Sequence, residues 1–86
     1  MAKKLFWEIE REGEKHTIEL EYGTISGKAI VTIDEDRFDI SVKPLRLRGS
    51  NQIFKLGEEM AILDFPKKGA PQVIVGGEAQ ARKKKA

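Results

Sequence analysis

The sequence predicts an all-β fold, a small antiparallel β-sandwich of about seven short strands with hairpin connections. Apolar and polar residues alternate with a period of two along most of the chain, which is typical of half-buried strands. Turn-forming residues recur at close spacing, and no window of about ten residues carries the apolar stripe of a helix. We therefore expect one β-sandwich domain over residues 1–77, with its strands between residues 3 and 76.

The first two strands form a hairpin whose register follows from charge. A loop at Glu12-Gly13 places Trp7 opposite Ile18 on the inner face, so Trp7 is predicted to lie between the sheets. Moving the loop by one residue would set Glu8 against Glu19, and like charges directly opposite each other destabilise a strand pair. The predicted partners are Leu5 with Leu20, Trp7 with Ile18, Ile9 with His16, Lys4 with Glu21, Glu8 with Thr17 and Glu10 with Lys15.

A second hairpin is predicted from two further alternating segments, with inner residues Ala29, Val31, Ile33, Phe38, Ile40 and Val42. A loop at Glu35-Asp36 would place Ile33 opposite Phe38 and Asp34 opposite Arg37. This register keeps the apolar residues on one side, as a packed sheet requires.

The rest of the domain has four short segments with β-forming residues. They contain Leu45 with Leu47, Ile53 to Leu56, Met60 to Phe65, and Gln72 to Val75. Residues 78–86 offer no apolar side chain larger than alanine, so burial cannot offset their ordering entropy. We predict that they form a disordered basic tail.

Composition excludes several classes of site. The 86 residues include no cysteine, so neither disulfides nor thiolate metal ligands are available, and the core of so short a chain is thin. No segment approaches the roughly 20 apolar residues of a membrane span, and the N-terminus lacks the pattern of a signal peptide. We expect a cytoplasmic protein without a membrane partner.

Charge is unevenly distributed along the chain. The net charge is +2, but residues 1–42 carry 6 basic and 10 acidic side chains, whereas residues 43–86 carry 10 and 4. Lys43, Arg46, Arg48 and Lys55 are the candidate binding residues, since they could form a basic patch for phosphate or for an acidic partner. With the outward Phe6 as a stacking platform, single-stranded nucleic acid is an alternative ligand, though one aromatic residue gives thin support.

Three other patterns have structural interpretations. The segment Gly23 to Lys28 lacks the spacing and the following helix of a phosphate-binding loop, so it is predicted to connect two strands. His16, the only histidine, has no second histidine or cysteine to share a metal or a nucleophilic role, and we expect it at the edge of the core. Four glutamates on the outer face of the first hairpin are predicted to be solvated: Glu8, Glu10, Glu19 and Glu21.

The stretch from Trp7 to Asp34 resembles the beginning of the Fas apoptotic inhibitory molecule family. The resemblance is carried by Trp7, His16, Ile18, Glu19, Glu21, Gly23-Thr24, Ser26-Gly27-Lys28, Val31 and Asp34, about a third of the chain. It implies an antiparallel β-sandwich that acts through protein contacts, without known catalysis. Glu35 stands where the family has a glycine after Asp34, and this chain has room for one sandwich unit where family members carry two.

These observations favour a non-enzymatic protein-interaction module with no cofactor and an unknown protein partner. The alternative is a nucleic-acid or anion-binding domain that uses the Lys43–Arg48 segment and the basic tail, although nucleic acid is the less favoured partner. Two states of association stay open. A monomer whose lysines and glutamates protect the sheet edges is slightly favoured. The other state is a weak, salt-sensitive homodimer in which the Lys43–Arg48 segment of one copy meets the acidic face of the other.

Overall fold

The computed structural model describes residues 2–83 and confirms an all-β sandwich without helix in that part of the chain. Two four-stranded antiparallel sheets follow one another in sequence, with strand orders β1-β2-β3-β4 and β5-β6-β7-β8. The strands are β1 (Lys3–Arg11), β2 (Glu14–Tyr22), β3 (Ala29–Ile33), β4 (Asp36–Asp39), β5 (Asn51–Leu56), β6 (Glu59–Asp64), β7 (Gln72–Val75) and β8 (Glu78–Ala79).

The core lies between the inner faces of the two sheets. Trp7 is completely buried, as predicted, and lies opposite Ile18 in the strand pair. The other buried apolar residues come from both sheets and their connections: Ile9, Leu20, Tyr22, Ala29, Val31, Leu47, Leu56, Ala61, Leu63, Phe65, Val73 and Val75. No polar or charged residue among those described is buried, so apolar packing holds the sheets together.

The register predicted for the first hairpin is confirmed at every predicted pair. Glu12 and Gly13 both have positive φ, at 53° and 79°, which is the geometry of a type I′ turn. This turn matches the right-handed twist of the strands it joins. The side-chain period of two and the charge pairs therefore determined the pairing correctly.

The register predicted for the second hairpin is wrong by two residues. The loop is Asp34-Glu35, so that Val31 lies opposite Phe38 and Ile33 opposite Asp36. Asp34 occupies the turn because its carboxylate accepts hydrogen bonds from β2, and both loop residues have positive φ. A shift by two residues keeps every side chain on its predicted face.

The segment that joins the sheets, residues 40–50, contains no strand. Leu45 and Leu47 were expected to share one face of a strand, but Leu45 is exposed and Leu47 is buried. The reason is a turn, in which the Arg46 amide donates to the Lys43 carbonyl and Leu45 adopts a φ of 65°. The loop is tied to the β2–β3 connection by the Leu45 amide, which donates to the Ile25 carbonyl at 3.1 Å.

The second sheet extends past the domain boundary expected at residue 77. β8 pairs with β7, and the Gln80 amide then donates to the Val73 carbonyl. The chain crosses to the first sheet, where the Lys83 amide donates to the Phe6 carbonyl at 2.8 Å. Residues 78–83 of the expected tail thus contact both sheets, and residues 84–86 lie outside the described part. The predicted mobility of the tail stays a prediction.

Candidate interaction surfaces

The outward face of the second sheet is unusually apolar. Ile53, Ile62, Ile74 and Ala79 lie in one row across its four strands, because each is the register partner of the next. Ile53 is 61% exposed, and Met60, beside this row, is 54% exposed. We call these five residues the apolar face. Isolated exposed apolar side chains are ordinary, but a contiguous row across a sheet is typical of a contact surface.

The outward face of the first sheet has the opposite character. It includes Lys4, Glu8, Glu10, Lys15, Glu19, Glu21, Arg37 and Asp39. Ion pairs neutralise part of its acidity: the Glu8 carboxylate lies 3.7 Å from Lys15 and 3.4 Å from Lys83, and Glu21 lies 3.5 Å from Lys28. The outward face of the first sheet is therefore largely charged and compatible with solvent, whereas the apolar face of the second sheet is not.

A cleft of about 520 Å³ opens between the edge strands β4 and β5. Val31 and Leu63 line it beside the half-exposed Phe38. Ile53 belongs to both the cleft and the apolar face, so the two surfaces are continuous. On the opposite side of the sandwich, residues 80–83 cross between the sheets. Of the two open sides of the sandwich, the β4–β5 side is therefore the one that presents the apolar cleft.

Charge is sorted between the two ends of the sandwich. An ion pair of 2.8 Å between Arg11 and Glu59 joins the β1–β2 and β5–β6 turns at one end. A ring contact between Tyr22 and Phe65 joins the β2–β3 and β6–β7 connections at the other. The acidic end has eight acidic residues and one basic residue in four turns, at 11–14, 33–36, 56–59 and 75–78. The basic end has six basic residues and no acidic one in three connections, at 23–28, 40–50 and 65–71.

Three of the four candidate binding residues lie together at the basic end. Lys43 and Arg46 belong to one turn, which is closed by the hydrogen bond from the Arg46 amide to the Lys43 carbonyl, and both are exposed without an ion pair among the described residues. Arg48 donates a hydrogen bond from Nη1 to the carbonyl of Lys67 at 3.2 Å, which joins the neighbouring loop to the cluster. The sequence did not indicate Lys67, because the contact depends on how the loops meet.

Lys55, the fourth candidate, lies elsewhere. It is four residues along β5 from Asn51, which corresponds to about 13 Å from the start of that strand, and it lies at the rim of the cleft. Lys83, from the basic tail, lies beside Glu8 on β1. Neither residue belongs to the basic end.

Two exposed aliphatic side chains accompany the basic end. Ile25 is 78% exposed and Leu45 is 74% exposed, and their backbones are hydrogen bonded to each other. Leu45 holds a left-handed conformation that costs a branched side chain about 1–2 kcal/mol. Gly27 allows the β2–β3 connection to pass close to the β4–β5 connection, because a Cβ at this position would lie 2.3 Å from the Val42 carbonyl oxygen. The strand-connecting role predicted for Gly23 to Lys28 is confirmed.

His16 lies near the acidic end, in contact with carboxylates. Its Nδ1 is 2.6 Å from Oδ2 of Asp34, and its Nε2 is 3.5 Å from Oε2 of Glu14. Partial burial raises the pKa of Asp34, but the hydrogen bonds from His16 and from the Thr17 amide outweigh it, so the pKa is lowered. Among residues 2–83 no group of three or more carboxylate or histidine side chains is arranged to hold a metal ion. The hydrogen bonds of the Asp34 carboxylate with His16 and with the Thr17 amide tie the β3–β4 turn to β2.

Comparisons with protein-family models, with curated proteins and with solved structures find no match to this chain. The resemblance of Trp7 to Asp34 to the Fas apoptotic inhibitory molecule family stays a prediction. In the part of the chain that is described, no helix is long and apolar enough to cross a membrane.

Proposed function

We propose that this domain is a non-enzymatic protein-interaction module that binds through its apolar face, and that the face packs against a second copy of the chain. The observation that supports the proposal is the row of Ile53, Ile62 and Ile74 across a sheet whose other side already faces the core. Burying this row against a partner would stabilise the complex by about 25 cal/mol for each Å² of apolar surface removed from water.

Charge complementarity favours a second copy as the occupant. A two-fold axis parallel to the row of isoleucines would stack the rows of two copies on each other. The strands of one copy would then run opposite to those of the other. Lys55 at one end of the face would then lie beside Asp64 of the other copy, because Asp64 pairs with Asn51 at the opposite end of β5. The acidic end of each copy would also lie beside the basic end of the other.

The size of the face sets the expected strength. The four strands have six, six, four and two residues. At about 3.3 Å per residue and about 4.8 Å between strands, they offer on the order of 300 Å² per copy. The total of about 600 Å² is below the roughly 1,200 Å² of a standard stable interface, so the dimer should be weak and depend on protein concentration.

Sedimentation equilibrium tests the proposal. Ile62→Lys places a charge at the centre of the face and should abolish the dimer, whereas Ile30→Lys, on the outward face of the other sheet, should leave it intact. A wild-type chain that remains monomeric at high concentration contradicts the proposal. A dimer lost in Arg46→Glu/Arg48→Glu but kept in Ile62→Lys would instead support the salt-sensitive contact between the Lys43–Arg48 segment and the acidic face.

Anion binding at the basic end is a second candidate function. It is supported by six basic residues without one acidic residue in the three connections. Heparin chromatography provides the test: Lys43→Gln/Arg46→Gln should elute at lower salt, and Lys55→Gln, outside the basic end, should elute with the wild type. Equal elution of all three proteins would contradict this function.

A further inference from the structure

We infer that the basic end docks on the surface of an anionic lipid membrane, with Ile25 and Leu45 entering the interfacial region. This inference rests on the anion-binding function proposed above and names its ligand. It departs from the expectation of no membrane partner, which rested on the lack of a spanning segment. Interfacial binding needs no such segment, since it combines exposed apolar side chains with attraction between basic residues and anionic lipids.

The first support is the placement of the two aliphatic side chains. Ile25 and Leu45 are the most exposed of the large apolar side chains in the described part of the chain, and both belong to connections at the basic end. The hydrogen bond from the Leu45 amide to the Ile25 carbonyl holds the two loops side by side. Leu45 keeps its left-handed conformation although its side chain has no place in the core.

The second support is the charge around these side chains. Arg46 follows Leu45 directly, Lys43 precedes it by two residues, and Lys28 follows Ile25 by three residues. Each basic residue close to an anionic bilayer strengthens binding about fivefold. Lys43 and Arg46 make no ion pair among residues 2–83, so docking at these two positions would break none.

The third support is the position of the opposite charge. Turns of the acidic end lie at the far end of the nine-residue strands β1 and β2, about 27 Å away. That distance is about three Debye lengths at physiological ionic strength, so in a monomer the acidic end weakens the attraction little. The separated charges also orient the domain, with its basic end toward a negative surface.

The geometry favours lipid over nucleic acid. The three connections of the basic end present no exposed aromatic side chain on which bases could stack, because Phe65 is buried. Duplex recognition uses a helix or a β-ribbon inserted into a groove, whereas these connections are short loops. Nucleic acid would use the lysines and arginines but would leave Ile25 and Leu45 without a role.

Co-sedimentation with phospholipid vesicles tests the inference. Vesicles of phosphatidylcholine with about a third phosphatidylserine should bind the wild-type protein, and pure phosphatidylcholine vesicles should not. Ile25→Ser/Leu45→Ser should weaken binding about tenfold or more through lost apolar burial, and Lys43→Gln/Arg46→Gln about 25-fold. Phe38→Ser is the matched control, because it removes an exposed apolar side chain that lies outside both the basic end and the apolar face, and it should bind as the wild type does.

A parallel heparin measurement distinguishes the possible failures. Retention on heparin should be the same for wild type and Ile25→Ser/Leu45→Ser, because heparin offers charge without an apolar phase. Retention without vesicle binding would overturn the membrane inference and leave anion binding in place. Binding to neither would overturn both. Vesicle binding that does not change in Ile25→Ser/Leu45→Ser would also overturn the inference, since the loops would then not enter the membrane.

Discussion

Replacing Trp7 by alanine should unfold the domain. Trp7 is completely buried between the sheets opposite Ile18, and a buried tryptophan removes about 150–250 Å² from water. At about 25 cal/mol per Å², and allowing for the alanine that remains, the free energy of unfolding should fall by about 3–5 kcal/mol. A domain of this length has a total stability of about 4–13 kcal/mol, and small cores lie toward the lower value.

Trp7→Phe is the informative comparison. The indole Nε1 of Trp7 is buried without a hydrogen-bond partner, and an unsatisfied buried donor costs about 1–3 kcal/mol. Phenylalanine keeps most of the apolar contact and removes that donor, so the two effects oppose each other. We expect Trp7→Phe to stay within about 1–2 kcal/mol of the wild type.

Urea unfolding followed by far-ultraviolet circular dichroism measures these differences, because Trp7 is the only tryptophan and its fluorescence is lost in both variants. We expect Trp7→Ala to show no cooperative transition at 25 °C. A well-dispersed amide spectrum from Trp7→Ala, with a wild-type urea midpoint, would refute the assignment of Trp7 to the shared core. A Trp7→Phe variant as unstable as Trp7→Ala would refute the role given to the unpaired donor.

Three further predictions concern stability. Glu35 has a φ of 78°, so Glu35→Gly should stabilise the domain by about 1 kcal/mol in urea titration, whereas Asp36→Gly, which has no positive φ, should not. Because the folded state lowers the pKa of Asp34, the ionised carboxylate stabilises the domain fully above about pH 4, and this contribution is lost as the pH falls through the pKa of Asp34 in the folded state. Asp34→Asn should therefore flatten this part of a plot of unfolding free energy against pH. An unchanged slope would contradict the pairing of Asp34 with His16. A chain ended at Gly77 loses β8 and the contacts of residues 80–83 and should melt about 5 °C lower, whereas an unchanged melting temperature would support a passive tail.

The sequence predicted those parts of the fold that local patterning determines. The first hairpin has nine paired positions on each strand, enough for apolar alternation and charge pairing to leave one register. In the second hairpin, Asp34 binds β2, a contact between residues 17–18 positions apart that alternation does not reveal. Leu45 and Leu47 offered only two apolar positions, too few to distinguish a strand from a turn. β8 could not be predicted, since its two residues pair through the backbone alone.

The apolar face was missed for a different reason. Only the two hairpins of the first sheet were assigned an inward and an outward face, whereas the segments of the second sheet were predicted as short strands without assigned faces. In the second sheet both phases are apolar: Leu56 and Leu63 face the core, whereas Ile53 and Ile62 face outward. The signal was visible as the nearly continuous apolar segments of β6 and β7, which indicate a sheet that is covered on both sides.

The charge sorting follows from antiparallel topology and could have been read from the sequence. When each strand reverses the direction of the one before, successive connections alternate between the two ends of the sandwich. Odd-numbered connections therefore share one end and even-numbered connections the other, and this holds across the β4–β5 connection between the sheets. Counting charge on either side of residue 42 mixed the connections of both ends. Summing the charge separately over the odd-numbered and the even-numbered connections instead separates an acidic end from a basic end. In any antiparallel meander this sum needs only the strand boundaries, and here it places Lys43, Arg46 and Arg48 at the end opposite the acidic turns.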